Sequence, residues 1–557
     1  MSIRRTLLIG IIVIAAAIRL WRLGSIPPAL SWDEAAIGYN AWSVLQTGND
    51  EWGEPFPLLF RSFDDYKLPG LIYSVALSEA VFGLTAFAVR LPTALFGVGI
   101  VVIGYMLAGK LLSYQTNRTN ETYTAQYTAL FAAFLLAVSP WLISFSRQAF
   151  ESLASLFFVM LGVYGLTCFE RQPRFILFSA VAFAASLYFY YAARVVVPVI
   201  LLIFIIVYWK HLWKRRHLAV LAAVLGIIII APLIPAVLSV GGFSRISQVV
   251  VTNEPEYIER MTAYTNGIVD HDNAWWTRIV YNRRFALVET VAYNYLQNIS
   301  PVFLFINGTE PHGLLYLWEL PLLFLGLYAL FRLNGSTKWI LFAWLLAAPL
   351  AGALTKDQPN ALRTLIGAPA FVMVSALGVR EGLGMLGKLG WLGKLGKLGS
   401  LGGLGMFGIL VTVFAVRFFF LYFDLVPRTR PMDFGDGYPQ MAKYAQSAED
   451  DYDTIWVSGY YWRPYIHVLF HQQINPSVYQ ESGSPGRLGK YRFGGASWDP
   501  EGPFLDSAAL NELVEGKTLF ILSGHDYRSQ LNEEAPFSYA EPIDGIYAKE
   551  VFWAVVL

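Results

Sequence analysis

Residues 7–34 read LLIGIIVIAAAIRLWRLGSIPPALSWDE, an apolar helix followed at once by a proline turn and two adjacent carboxylates. Leu7 to Leu23 would rise roughly 25 Å as a helix, close to the bilayer hydrocarbon thickness of about 30 Å. Its only charges, Arg19 and Arg22, sit near the far end, where long side chains can snorkel to the headgroups. The chain therefore leaves the membrane near Gly24, turns at Pro27-Pro28, and presents Trp32-Asp33-Glu34 at the surface. No small-residue cleavage site precedes Trp21, so the helix is expected to be retained.

Composition extends this reading to the whole chain. Of 557 residues, 55% are hydrophobic and only 15% charged, against about a quarter charged in soluble domains. The expected fold class is a polytopic α-helical membrane protein with a small C-terminal α/β domain outside the membrane. Apolar runs at about 7–23, 90–112, 125–142, 149–168, 175–192, 194–209, 217–238, 314–332, 338–354, 362–379 and 400–423 suggest about eleven spans. Placing Arg4-Arg5 in the cytoplasm puts the basic loop 210–217, Arg171, Arg332 with Lys338, and Arg380 with Lys388 on the same side, as the positive-inside rule requires. The loops 24–89 and 239–313 and the C-terminal region then lie outside, in an integral protein of the plasma membrane. The weakest joint is 192–194, where two apolar runs nearly touch; a single bent helix there would invert everything downstream.

Residues 1–423 form the membrane unit, and 428–557 should fold as an extracytoplasmic α/β domain with its own core. Strands are expected at 454–458, 518–523 and 547–557, and helices at 438–448, 462–471 and 506–515. The Leu/Gly tract 382–405 reads as a linker, because period three gives no stable helical face. Segments 34–46 and 68–83 read as helices lying along the interface. The lone Cys168 excludes an internal disulfide. No metal site or cofactor is expected. His467 and His471, the one i,i+4 histidine pair, read as a surface pair.

Polar groups on the outer side carry the functional reading. Asp33 and Glu34 can begin a helix capped by Ser31 or Asp33 and can also do acid–base chemistry beside Tyr39 and Trp42, the two roles being compatible. Lys67, in Asp64-Asp65-Tyr66-Lys67-Leu68-Pro69, can meet a phosphate or pair with Asp64 or Asp65. Arg147, beside Ser139-Pro140-Trp141, suits a lipid phosphate better than surface pairing with Glu151. Arg194 and Arg363 can bind substrate or anchor to headgroups.

Taken in order, Arg-Leu-Trp-Arg-Leu, Trp32-Asp33-Glu34, Gly38-Tyr39, Tyr66-Lys67-Leu68-Pro69, Arg90-Leu91-Pro92, Ser139-Pro140-Trp141, Ser146-Arg147 and Ala361-Leu362-Arg363 form a set. With it the chain resembles GT-C membrane glycosyltransferases, in their protein O-mannosyltransferase and aminoarabinose-transferase branch, from the first helix to about residue 380. The resemblance implies a catalytic aspartate at Asp33 and a donor-phosphate lysine at Lys67, although relatives often carry a carboxylate or histidine before that lysine and proline directly after it. With Glu34, Tyr39, Asp65, Arg147, Arg194 and Arg363 as substrate-binding candidates, the expected reaction moves a hexose or pentose from a polyprenyl-phosphate donor. Its acceptor is a hydroxyl of protein, lipid or polysaccharide, and the transfer inverts the anomeric carbon. Membrane lipids are expected partners, nucleic acid is not. The competing class is a transporter or flippase, against which stand the absence of half-to-half symmetry and the placement of the polar candidates in outer loops.

Overall fold

A computed structural model describes residues 3–63, 65–113, 119–239, 248–271, 274–309, 311–333, 335, 338–388, 396–482, 484–494, 507–530 and 537–557. Every one of the eleven apolar runs is helical. The first are α1 (Ile3–Leu20), α4 (Ala86–Ser113), α5 (Thr119–Val138) with α6 (Pro140–Ser146), α7 (Glu151–Cys168), α8 (Phe175–Ser186), α9 (Ala193–Lys214) and α10 (Arg216–Ile230). The first outer loop supplies α2 (Trp32–Thr47) and α3 (Pro69–Phe82). Among the described residues five helices are long and apolar enough to cross a membrane alone, or six where the α5–α6 pair, bent by 50°, is counted as one broken span. The other apolar helices are shorter or carry charge at their ends.

The bend follows from Pro140, which has no N–H to continue the α5 ladder. It strands the carbonyls of Leu136, Ala137 and Val138. Arg19 answers two of them, donating to Leu136 at 3.1 Å and Ala137 at 2.9 Å, and the Tyr316 hydroxyl donates to Val138 at 2.7 Å. Arg19 is completely buried; it does not snorkel, because the broken helix offers acceptors closer than the headgroups.

Contacts between loops fix which ends share a face. Breaks after Ser186 separate α8 from α9, and the Tyr188 hydroxyl donates to Ile229 at the end of α10. The ends of α8 and α10 therefore lie together and α9 returns between them, so residues 192–194 are a turn between two helices and not the middle of one bent helix. The turn after α8 also accepts a hydrogen bond from Gly70 at 2.9 Å. Loop 239–313 meets the 354–361 loop through the Val250–Thr355 bridge and Asn298. Arg332 and Glu381 approach to 3.6 Å at the other end.

Beyond residue 430 a six-stranded sheet runs in the order β4-β5-β3-β6-β8-β7, with β3 (Thr454–Val457) parallel to β5 (Tyr491–Phe493) and β6 (Thr518–Ser523). The strands β4 (Arg487–Leu488), β7 (Tyr539–Ile543) and β8 (Phe552–Val556) are antiparallel to their neighbours. One sheet face has a small apolar cluster around Trp456, Phe520 and Leu522. The other shares its core with the first outer loop: Ile455, Val457 and Ile521 pack in one cluster with Ile466, Phe470, Ala35, Ile37 and Tyr39. The core on that face is thus not the region's own. His467, expected at the surface, is fully buried on that seam and stacks on Tyr438 at 3.8 Å; burial lowers His471 to about 4. The described ends of the Leu/Gly tract continue the helices Ala368–Lys388 and Gly396–Phe420, contrary to the expected linker, while 389–395 lies outside the described residues.

Candidate active site

The site begins with the cap of α2. Ser31 accepts the Glu34 N–H at 3.3 Å, and Glu34 reaches back to the Ser31 N–H at 3.2 Å, a reciprocal capping box. The cap is therefore Ser31, which frees Asp33 from that duty. Glu34 is 1% exposed and also takes two hydrogen bonds from Arg90, at 2.8 and 3.0 Å, and one from the Ala149 N–H at 3.0 Å. Arg90 in turn donates to the carbonyls of Leu23, Pro27 and Ala29. Glu34 is thus a brace for the proline turn, and its buried ion pair leaves no room for the substrate contact expected of it.

Arg147 is likewise a brace. It is fully buried and donates to the carbonyls of Ile18, Arg19, Trp21 and Ile26 at 2.7–2.9 Å, closing the end of α1. The stranded carbonyls of a helix C-terminus are what a cation there satisfies, so no lipid phosphate is needed. Tyr39 is buried with its hydroxyl on the Ile474 carbonyl at 3.1 Å; it fastens the C-terminal region and does not face a sugar.

With Glu34 turned inward, Asp33 points outward and is 45% exposed. Its Oδ1 lies 2.6 Å from the Nζ of Lys67, which is only 8% exposed. Lys67 ends the hairpin of β1 (Phe60–Ser62) and β2 (Asp65–Lys67), paired with Phe60 across it. The side chain of Asp65 lies outside the described residues. The turn after α8 holds the hairpin from behind: Tyr191 donates its hydroxyl to the Tyr66 carbonyl at 3.1 Å. Arg194 lies over that same Tyr191 ring at 4.4 Å, which brings it to the Lys67 neighbourhood. Glu151, at the start of α7, comes within 3.9 Å of Lys67. Arg363 is tied into a separate loop, donating to Thr355 at 3.1 Å and to the Lys356 carbonyl, with Asp357 at 3.8 Å.

The C-terminal region completes the rim. Trp462 stacks on Trp32 at 5.3 Å, and Arg463 lies over Phe63 at 5.1 Å. Both follow β3 in the left-handed region, at φ of 74° and 48°, a costly backbone for such side chains. Tyr438 holds them there, its hydroxyl shared between the carbonyls of Tyr461 and Trp462 at 2.7 and 2.6 Å. Sequence reasoning did not link Glu151 to Lys67, Trp462 to Trp32 or Arg463 to Phe63, since no local spacing joins these segments. A half-exposed carboxylate against a buried ammonium, walled by indoles, can take a proton on one side and neutralise an anion on the other.

Residues 67–235 match the model of the dolichyl-phosphate-mannose-protein mannosyltransferase family. Among curated proteins no sequence matches significantly. ArnT from Cupriavidus metallidurans, solved with bound undecaprenyl phosphate, shares the architecture at a TM-score of 0.54 and 12% identity, over 99% of this chain and 97% of that one; its apo state gives 0.55. The archaeal oligosaccharyltransferase AglB from Archaeoglobus fulgidus, solved with an inhibitory peptide and a dolichol-phosphate, gives 0.51 at 12% identity, over 94% of this chain and 69% of that one. At such identities the likeness is one of fold. From the first helix to the last strand, the chain is a polytopic membrane protein with the GT-C glycosyltransferase fold.

Proposed function

We propose that the chain transfers a sugar from a polyprenyl-phosphate donor to an acceptor hydroxyl at the outer face of the plasma membrane, with inversion. The observation that carries this reading is the Asp33–Lys67 pair at 2.6 Å, one partner open and the other buried. The structural neighbours solved with polyprenyl and dolichol phosphates support the donor class.

In the proposed reaction the donor phosphate draws Lys67 from Asp33 and leaves the carboxylate free to act as base. The acceptor oxygen attacks the anomeric carbon as its proton passes to Asp33. The bond from that carbon to the phosphate oxygen breaks, and its electron pair leaves with polyprenyl phosphate, whose charge Lys67 neutralises. Arg194, linked to the Lys67 hairpin through Tyr191, is the proposed second phosphate ligand, and Arg363 a further substrate-binding residue from the 354–361 loop. Trp32 and Trp462 wall the sugar. A single displacement inverts the centre, by the geometric logic of inverting carboxylate enzymes.

The test is turnover by purified protein in vesicles holding a polyprenyl-phosphate hexose or pentose and a soluble hydroxyl acceptor. Release of polyprenyl phosphate with a glycoside of opposite anomeric configuration is expected. Movement of intact donor across the bilayer without release would contradict the proposal.

A further inference from the structure

A second charged feature lies away from Asp33. A cavity of about 320 Å³ opens between the α6 start at Pro140, the loop 305–317, and the helix Gly396–Phe420. Arg417 lines it, and among the described residues Arg417 has no hydrogen-bond or ion-pair partner. Its walls are mostly apolar, with His312 and Tyr316 the polar exceptions: Phe305, Phe414 and Phe418 lie inside, and Ile306 and Leu317, each more than half exposed, stand at the mouth. His312, the other ionisable ring in the lining, sits edge-on to Phe418 at 4.8 Å, where burial lowers it to about 4. Arg417 is thus the one cation among the described residues of the lining.

Two π-helical segments, Phe303–Asn307 and Leu421–Leu425, border the same space, and such insertions concentrate at functional sites. Depth also matters. Phe419 and Phe423 pack on Trp21, just beyond the end of α1, at 5.7 and 5.3 Å, so Arg417, just before Phe419 on an apolar helix, lies level with the last turn of α1. An unpaired guanidinium in an apolar helix is costly. A phosphate oxygen pair is the group it binds best.

We propose that this cavity binds the phosphate of a membrane lipid, whose chain runs along Phe414 and Phe418. The site is separate from the one proposed at Lys67 and does not depend on it. A lipid is favoured over free phosphate because, His312 and Tyr316 apart, the side chains around Arg417 are apolar, and the exposed residues at the mouth, Ile306 and Leu317, are apolar too.

Native mass spectrometry of the delipidated full-length protein tests this, with polyprenyl monophosphate, phosphatidylglycerol and inorganic phosphate offered in turn. Wild type should retain one lipid phosphate that Lys67→Ala also retains. Arg417→Gln, which removes the charge, and Ile306→Trp, which fills the mouth, should each weaken that retention about tenfold or more. Whichever lipid binds identifies the natural source. Equal retention in wild type and in either folded variant, or displacement by inorganic phosphate alone, would overturn the proposal.

Discussion

At the residue scale, charged side chains of similar sequence context do opposite work. Arg19, Arg90 and Arg147 are fully buried and spend their guanidinium groups on carbonyls or Glu34, whereas Lys67 faces the one half-exposed carboxylate beside it. Lys67→Ala is therefore expected to lower transfer by about 10- to 100-fold, the worth of a charge-assisted hydrogen bond of roughly 1.5–3 kcal/mol realised in the transition state. Arg363→Ala should fall by less, since its guanidinium is already held by its own loop. Steady-state turnover of donor measures both, and a wild-type rate for Lys67→Ala would remove it from the phosphate. Glu51 offers a pH test. It is 1% exposed, and burial pushes its carboxyl up to about 8, with Asp50 raising it further and Asn40 and Arg61 opposing. A carboxyl raised in the folded state binds a proton that the unfolded chain has released, so its contribution is complete below about pH 4.5 and declines as pH rises through 8. Melting temperature against pH should fall over that window in wild type and be flatter in Glu51→Gln. Parallel curves would show that Glu51 does not titrate there.

At the element scale, broken helices explain where the sequence was readable and where it was not. Hydropathy located all eleven helical runs, because burial in lipid demands long apolar stretches. The strands at 454–457 and 518–523 were equally plain as short β-rich runs. The roles of the arginines were not, because a cation near a membrane exit suits a phosphate and a helix C-terminus alike, and only the fold shows which is adjacent. Pro140 was the available signal: a break in α5 leaves carbonyls that some buried donor must meet. Replacing Arg147 by Met keeps much of the volume but takes the donor from four carbonyls, Ile18, Arg19 and Trp21 at the end of α1 and Ile26 in the turn beyond it. It should cost roughly 3 kcal/mol or more, read as a lower melting temperature and poor yield. Unchanged stability would mean that water replaces the guanidinium. Gly38 gives a packing test. A Cβ there would lie 2.6 Å from the Phe470 ring and 2.7 Å from Val89, so Gly38→Val should loosen the C-terminal region from α2 at a cost of about 1–3 kcal/mol. Faster proteolysis after residue 430 would report it, and a wild-type digestion pattern would count against the shared core.

At the scale of the whole molecule, one face gathers the first outer loop, the turn after α8, the 354–361 loop and the C-terminal sheet. Asp33 and Lys67 are 34 residues apart in the chain, and the contact depends on the hairpin, the Tyr191 clamp and the capping box acting together. For that reason the pair was legible as two candidates but not as a pair. The proposed orientation puts this face outside. A cysteine at Ser484 should react with an impermeant thiol reagent in intact cells and one at His211 should not; the native Cys168 is buried and gives little background. The reverse pattern would invert the topology and move the proposed chemistry to the cytosol. Asp33 is the proposed base, and Asp33→Asn tests that role with least disturbance because Ser31, not Asp33, caps α2. Sugar transfer, donor binding and melting temperature should be measured together on that variant. Transfer should fall by roughly 10²–10⁴-fold while donor binding and stability stay near wild type. Near-normal transfer by Asp33→Asn would contradict that role.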